Sequence, residues 1–244
     1  MSNPVFNNVS SVDERILEGA PCTVQGTLNK TFLLLCVTIA AFFLNFNMCL
    51  TNNYEIASAI GTVSIFVALI LALIISFKPK TAPILSPIYA FCEGLLLGFI
   101  SFLFEAQYKG IAFQAVIATF GTLFAMLMLY SGKIISATEK FRSTIFIATI
   151  GIGLIYLVSF ILSFFHINIP AIYSSSPIGI AFSVIVCLIA AFNLILDFDF
   201  IERASANLLP KHYEWYGAFG LLVTIVWLYI EILRLLAKFR SSNR

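Results

Sequence analysis

Seven apolar runs, each long enough to cross the hydrocarbon core of a bilayer, constrain this chain more than any other feature. A transmembrane helix needs about 20 predominantly apolar residues. A segment in lipid must satisfy its own backbone hydrogen bonds, and these runs are far longer than barrel strands. We therefore predict an all-α integral membrane protein with seven transmembrane helices. The runs cover residues 31–50, 56–77, 83–104, 111–130, 144–165, 178–198 and 216–237.

The composition and the spacing of the runs indicate one membrane domain. Of the 244 residues, 60% are hydrophobic and 11% are charged, whereas soluble domains carry about 25% charged residues. We predict a polar cytoplasmic tail at 1–27, a seven-helix membrane domain at 28–239 and a short basic tail at 240–244. Because the first tail is polar, no cleaved secretory signal is expected.

Prolines and glycines refine this prediction. Proline lacks a backbone N–H and interrupts helices, and Pro87 is expected within the first turns of the third helix. Gly94 and Gly98 are four residues apart, which either allows close helix approach or reflects chance. The prolines expected in connections are Pro79, Pro83, Pro170, Pro177 and Pro210.

Basic residues predict the orientation in the membrane. They precede the first run and follow the second, fourth and sixth runs, whereas the alternate connections carry only Lys109. By the positive-inside rule, the N-terminus is cytoplasmic. Seven spans then place a basic C-terminus outside, so either the last helix tolerates a basic outer end or it does not cross fully. The residues in conflict are Arg234, Lys238, Arg240 and Arg244.

Four acidic residues and one base stand out as candidate functional residues. A charge at the centre of a membrane helix costs about 2.5–3.5 kcal/mol on insertion scales, so such residues usually serve a purpose. Glu93, near the middle of the third run, is either a pathway group or a neutral acid that joins helices. Glu231 and Arg234 are three apart and form either an outer functional cluster or an ordinary ion pair. The other two acids are Asp197 and Asp199.

Helical geometry separates these acids. Asp197 and Asp199 lie about 200° apart on a helix, so they cannot both face one partner. The spacing does not decide which of them faces the bundle. Thr224 and Glu231 are seven residues apart and share one face of the seventh helix.

The sequence disfavours an enzyme, a resident metal and a cofactor. The two histidines, His166 and His212, lie in connections, so the predicted helices contain no histidine cluster for zinc or serine activation. Four of the five cysteines lie in or at the edge of apolar runs with no CxxC spacing, and they are interpreted as buried apolar residues rather than a disulfide or metal framework. No nucleotide-binding or hydrolase motif is present. We expect a lipid bilayer and cations as partners, because buried carboxylates attract cations or protons, and we expect no nucleic acid.

Four segments resemble the Bax inhibitor-1 family, and its bacterial YccA-like branch in particular. The similarity runs from about Asn29 to Phe239. The segments are E-G-L-L-L-G at Glu93–Gly98, T-E-K-F-R at Thr138–Arg142, L-D-F-D-F-I-E-R at Leu196–Arg203, and the run at Glu214–Leu236 that begins E-W-Y-G-A-F-G.

This resemblance implies a seven-helix bundle with the seventh helix at its centre, in the bacterial inner membrane. It also implies a pH-sensitive calcium leak, governed by a proton shared between one aspartate of the sixth helix and one of the seventh. The sixth-helix aspartate corresponds to Asp197 or Asp199, where a transient Ca²⁺ contact is expected. Thr224 stands where the family has its second aspartate, and either Glu231 takes the partner role or the latch is absent.

Two functions follow as hypotheses. In the first, the protein is a passive cation leak or its regulator, with Asp197 or Asp199 as the inner gate carboxylate. Glu93 then lines the path, and Glu231 with Arg234 forms an outer polar cluster. In the second, suggested by a bacterial relative that interacts with the membrane protease FtsH, the protein modulates such a protease without conducting ions. The polar tail at 1–26 would be the contact.

Overall fold

Seven long helices make up most of the part of the chain that the structure describes. In this computed structural model the described residues are 21–51, 53–163, 165 and 174–242. Each helix is long and apolar enough to cross a membrane, which confirms the predicted all-α, seven-span class. The helices are α1 (Val24–Leu50), α2 (Tyr54–Phe77), α3 (Ala82–Gln107), α4 (Ile111–Ser131), α5 (Glu139–Ser163), α6 (Pro177–Ala206) and α7 (Tyr213–Ser242), with a 3-10 turn at Pro79–Thr81.

Several helices extend beyond the apolar runs. Helix α1 begins at Val24 rather than at residue 31, because the Thr23 hydroxyl caps it by accepting the Gly26 N–H. Helix α6 continues past residue 198 to Ala206, and an ion pair between Asp199 and Arg203 joins its last turns. Apolar runs mark the part of a helix that lies in hydrocarbon, so they miss polar turns at its ends.

Some of the predicted segments differ from these helix boundaries or lie outside the described residues. Residues 24–27 of the predicted tail belong to α1, and residues 240–242 of the predicted basic tail belong to α7. Residues 1–20 of the predicted N-terminal tail lie outside the described residues, and so do His166, Pro170 and Arg244.

Two of the proline assignments are wrong. Pro83 and Pro177 were expected in connections, but they occupy the second position of α3 and the first position of α6. The first turn of a helix tolerates proline, because the missing N–H has no intrahelical partner there. Pro87 lies inside α3 as predicted, and Pro210 lies in the connection between α6 and α7.

The chain divides into two compact units. Unit 1 comprises Met1–Phe99 and Asp199–Leu222, and unit 2 comprises Ile100–Phe198 and Val223–Arg244. In the described residues, unit 1 therefore holds α1, α2, most of α3 and the junction of α6 with α7. Unit 2 holds α4, α5 and the larger parts of α6 and α7.

In unit 1, α3 packs directly on the backbone of α1. A Cβ atom at Gly94 would overlap the Thr38 carbonyl oxygen, and one at Gly98 would overlap the Phe42 carbonyl oxygen. The fully buried Asn45 donates a hydrogen bond of 2.6 Å to the Leu95 carbonyl oxygen. The interpretation of the glycine pair as a site of close helix approach is therefore confirmed.

A second cluster in unit 1 ties the start of α1 to the start of α7. The fully buried Glu214 carboxylate accepts hydrogen bonds from the backbone N–H and hydroxyl of Thr23, at 2.9 and 3.0 Å. It also forms ion pairs with Lys30 and with Lys211. A Cβ atom at Gly26 would overlap this carboxylate, so a larger residue there would displace the Glu214 side chain.

Helix α7 is the most enclosed of the seven helices. In the most apolar stretch of each helix, 61% of the residues are buried in α7, compared with 17% to 44% in the other six.

We expect Gly94→Ala and Gly98→Ala each to lower the free energy of unfolding by about 1–3 kcal/mol, because the added methyl group meets backbone of α1. The measurement is the melting temperature of the purified protein in detergent. Gly121→Ala and Gly151→Ala are matched controls, since an added Cβ atom there meets nothing within 4 Å. These controls should melt at or above the wild-type temperature. Equal melting temperatures for all four variants would contradict the close packing.

We expect Glu214→Gln to destabilise the protein by about 3 kcal/mol, because it leaves Lys30 and Lys211 without their shared carboxylate in a buried cluster. Glu139→Gln is the matched control. Glu139 also pairs with a base three residues away, Arg142, but its side chain is 85% exposed, so its loss should cost less than about 1 kcal/mol. Chemical denaturation of the two variants measures the difference, and equal effects would show that the Glu214 cluster does not hold the helices together.

Candidate functional site

Three polar residues recur every seven positions along α7 within unit 2. They are Thr224, Glu231 and Lys238, and we call them the polar stripe. Residues seven apart are two helical turns, or about 10.5 Å, apart on the same face. All three are buried, with relative exposures of 7%, 1% and 8%.

At the first level of the stripe, Thr224 contacts Asp197 on α6. The Thr224 hydroxyl donates a hydrogen bond to the Asp197 carboxylate. The other carboxylate oxygen, Oδ2, is buried and has no hydrogen-bond partner among the described residues. Asp197 is thus the aspartate of the D-F-D segment that faces α7 in unit 2. Its partner, Thr224, is the residue that the family resemblance aligned with the second aspartate of the family.

Asp199 has a different environment. It belongs to unit 1, and its carboxylate forms an ion pair of 3.1 Å with Arg203, four residues further along α6. The separation of about 200° between positions 197 and 199 explains why the two side chains meet different partners.

At the second level, Glu231 is bound by α5 and by its own helix. Its Oε1 atom accepts a hydrogen bond of 2.9 Å from the Tyr156 hydroxyl and one of 3.1 Å from Arg234 Nη1. The Arg234 guanidinium lies over the Tyr156 ring, 5.2 Å from its centroid. Glu231 Oε2 is buried and has no hydrogen-bond partner in the described part of the chain.

At the third level, Lys238 contacts α6, as Thr224 does at the first level. Its Nζ atom donates hydrogen bonds to the Gly179 carbonyl oxygen, at 3.0 Å, and to Ser183 Oγ, at 2.7 Å. Lys238 lies 14 residues after Thr224, and Ser183 lies 14 residues before Asp197. The two contacts therefore fit one antiparallel register of α6 and α7 over this length.

Glu93, like Asp199, lies in unit 1, whereas the other candidates belong to unit 2. It is half-buried in α3, and the Tyr89 hydroxyl, one turn earlier, donates a hydrogen bond to its carboxylate. Tyr89 in turn packs against Phe219, with ring centroids 4.9 Å apart. Asp197, Thr224, Glu231 and Arg234 are all in unit 2.

The described residues contain no group of three or more His, Cys, Asp or Glu side chains that could hold a metal ion. The available carboxylate oxygens are Asp197 Oδ2 and Glu231 Oε2, on separate levels of the stripe. Chemically, the carboxylate at each of these two levels can bind and release a proton or a single cation.

Sequence reasoning missed three residues of this region: Tyr156, Ser183 and Lys238. Lys238 could have been found from its spacing, because it follows Glu231 by seven residues, as Glu231 follows Thr224. Tyr156 and Ser183 carried no such signal, because hydroxyl groups are common in apolar helices and contact between helices cannot be deduced from one sequence.

The basic C-terminus also has partners inside unit 2. In addition to the bonds of Arg234 and Lys238, Arg240 donates to the Lys109 carbonyl oxygen at 2.8 Å and to Gln114 at 2.9 Å. Helix α7 has 30 residues, or about 45 Å of length, which is enough to cross a bilayer. A full crossing with a basic end is therefore compatible with the geometry.

Comparison with known proteins gives one match. A family model described as "Bax inhibitor 1 like" matches residues 3–241, nearly the whole chain. No curated protein and no solved structure matched significantly. The matched range includes all seven helices except Ser242 and every candidate residue of the polar stripe. The chain therefore belongs to the Bax inhibitor-1-like family.

Proposed function

We propose that this protein is a non-enzymatic, passive leak pathway for cations, with Ca²⁺ as the principal ion, in the inner membrane of a bacterium. In this proposal the polar stripe of α7 is the part of the pathway in unit 2. The observation that carries the proposal is the pair of buried carboxylate oxygens, Asp197 Oδ2 and Glu231 Oε2, that lack hydrogen-bond partners among the described residues.

Buried polar atoms without partners are rare in folded proteins, and each calls for an explanation. A carboxylate oxygen is a hard ligand of the kind that Ca²⁺ prefers. Acidic residues inside membrane domains commonly mark ion or proton pathways. One of these oxygens belongs to α6 and the other to α7, at two successive levels of the polar stripe, and together they offer a cation successive contacts.

The two acids have different roles in this proposal. A cation at Glu231 must compete with the Arg234 guanidinium, which is 3.1 Å from the carboxylate. At Asp197 the bound partner is the neutral hydroxyl of Thr224. We therefore assign the gate to Asp197. Because a threonine cannot share a proton as a carboxyl group does, pH acts on Asp197 as a single site and not through a pair of acids.

We expect Asp197→Asn to lower Ca²⁺ flux into liposomes about tenfold or more. A unit charge about 4 Å from an ion contributes about 4 kcal/mol at an effective dielectric constant of about 20, and about 1.4 kcal/mol corresponds to a factor of ten. Flux is measured with purified protein between pH 6 and 8. Glu231→Gln should have a smaller effect, because Arg234 already neutralises that carboxylate.

Asp199→Asn is the matched control, since this carboxylate is paired with Arg203 on its own helix. Its flux should stay near that of the wild type. In Thr224→Asp, two carboxyl groups meet and hold a shared proton to higher pH than one group alone, so the pH midpoint of flux should move upward. The absence of flux in every variant and at every pH would refute the leak.

The second hypothesis is a non-conducting modulator of an FtsH-type membrane protease, with the polar tail at 1–26 as the contact. It requires a cytoplasmic N-terminus, which the positive-inside rule predicts from Lys78, Lys80 and the other basic residues of the even-numbered exits. Deletion of residues 1–20 is expected to change the half-life of substrates of the protease in cells. An unchanged half-life, with the truncated protein present at normal abundance, would reject this role.

A further inference from the structure

We propose that unit 2 contains a binding site for a phosphate-type anion, at the end of the polar stripe that carries Lys238. A cavity of about 240 Å³ lies there among residues of α3, α5, α6 and α7 and of the segments next to them. The volume is sufficient for a phosphate group with its attached substituent. Its lining residues are Phe104, Gln107, Tyr108, Tyr156, Ser175, Ser183, Arg234, Ala237, Lys238 and Ser241.

The charge of the lining selects an anion. Two of the ten lining side chains, Arg234 and Lys238, are basic, and none is acidic. Glu231, an acid outside the lining, is bonded to two lining residues, Arg234 and Tyr156, through one oxygen, so its negative charge faces the two positive charges of the lining. Lys238 is 8% exposed, and a charge with so little contact with water attracts an anion more strongly than a surface lysine does.

The geometry of Arg234 suits a phosphate. A guanidinium has five N–H donors in a planar fork that matches phosphate oxygens. Nη1 donates to Glu231, and the plane is held over the Tyr156 ring. The side chain is 38% exposed, so it is reachable from the cavity. The hydroxyl groups of Ser175 and Ser183 lie in the same lining and add neutral hydrogen-bonding capacity.

The position of the cavity along the helices indicates two sources for the anion. The lining includes the last residues of α3 and α7 and the segment that precedes α6, all of which are ends of membrane-spanning helices. The N-terminus of α6, a helix of 30 residues, adds the positive end of its dipole at this level. Lipid phosphates lie at the depth of such helix ends, and free phosphate reaches them from water. Both sources present the same chemical group.

The test uses the full-length protein purified in a maltoside detergent, which contains no phosphate. One arm adds inorganic phosphate against sodium chloride of equal ionic strength, and the other adds a short-chain phosphatidylglycerol against a neutral short-chain glyceride. The readout is the melting temperature as a function of ligand concentration. We expect a saturable increase in at least one arm. An increase in the lipid arm alone assigns the site to a headgroup, and an increase with inorganic phosphate assigns it to the free anion.

Variants of the lining residues test whether the ligand binds in this cavity. Arg234→Gln and Lys238→Gln should each weaken the apparent affinity about tenfold to a hundredfold, the effect of losing hydrogen bonds to a charged group. Lys133→Gln and Lys140→Gln remove exposed bases elsewhere in unit 2 and should bind as the wild type does. Glutamine at position 238 keeps a donor for Ser183, so the fold should be retained.

Should Arg234→Gln not fold, Arg234→Lys keeps a charge beside Glu231 but loses the planar fork, and it should bind about tenfold more weakly. The proposal is overturned if neither arm gives a saturable increase, or if the Arg234 and Lys238 variants bind with wild-type affinity. Neither result bears on the leak, because the readout is thermal stability and the gate assigned to Asp197 is left intact.

Discussion

The enclosure of α7 is the constraint on which the rest of unit 2 depends. A polar side chain on a helix with 61% of its apolar stretch buried has little water to bind, so the protein must supply its partner. Thr224 finds this partner in Asp197, Glu231 in Tyr156 and Lys238 in Ser183. Two of these contacts join α6 to α7 at points 14 residues apart on each helix. A slide of one helix by a single turn would break both of them together.

The stripe also carries a gradient of charge along α7. Its first residue, Thr224, contacts the acid Asp197 of α6, its second is an acid bound to a base, and its third is a buried base. In the proposed leak, a cation is therefore expected to bind best at the level of Asp197 and to be repelled at the level of Lys238. An anion in the cavity beside Lys238 and Arg234 would weaken that repulsion. The two proposed sites are distinct, yet each changes the electrostatic environment of the other.

The sequence was sufficient for the fold class, because apolar runs of about 20 residues leave helices as the only structure that satisfies the backbone in lipid. The pair Gly94 and Gly98 left close helix approach and chance as alternatives, and the contact with α1 required coordinates. The positions of Pro83 and Pro177 were mistaken because helix starts tolerate proline. The polar ends of α1 and α6 were missed because hydropathy does not register capping residues or ion pairs.

The site was only partly predictable, for a geometric reason. Spacing showed that Asp197 and Asp199 point to different sides, but the rotation of α6 about its axis depends on all of its neighbours, so the choice between them required coordinates. The partner of Glu231 was likewise hidden, since Tyr156 lies 75 residues earlier in the chain. The alignment of Thr224 with the second aspartate of the family came from the family resemblance, because no spacing rule gives it.

The cluster around Glu214 has a consequence for the order of assembly. Lys30 and Thr23 leave the ribosome before Glu214, which follows Lys30 by 184 residues. Unit 1 as a whole consists of the first 99 residues and a return segment at Asp199–Leu222. During synthesis, which proceeds from the N-terminus, α1 must therefore wait in the membrane while most of unit 2 is made. The basic start of α1 therefore lacks its buried carboxylate until the start of α7 has been made.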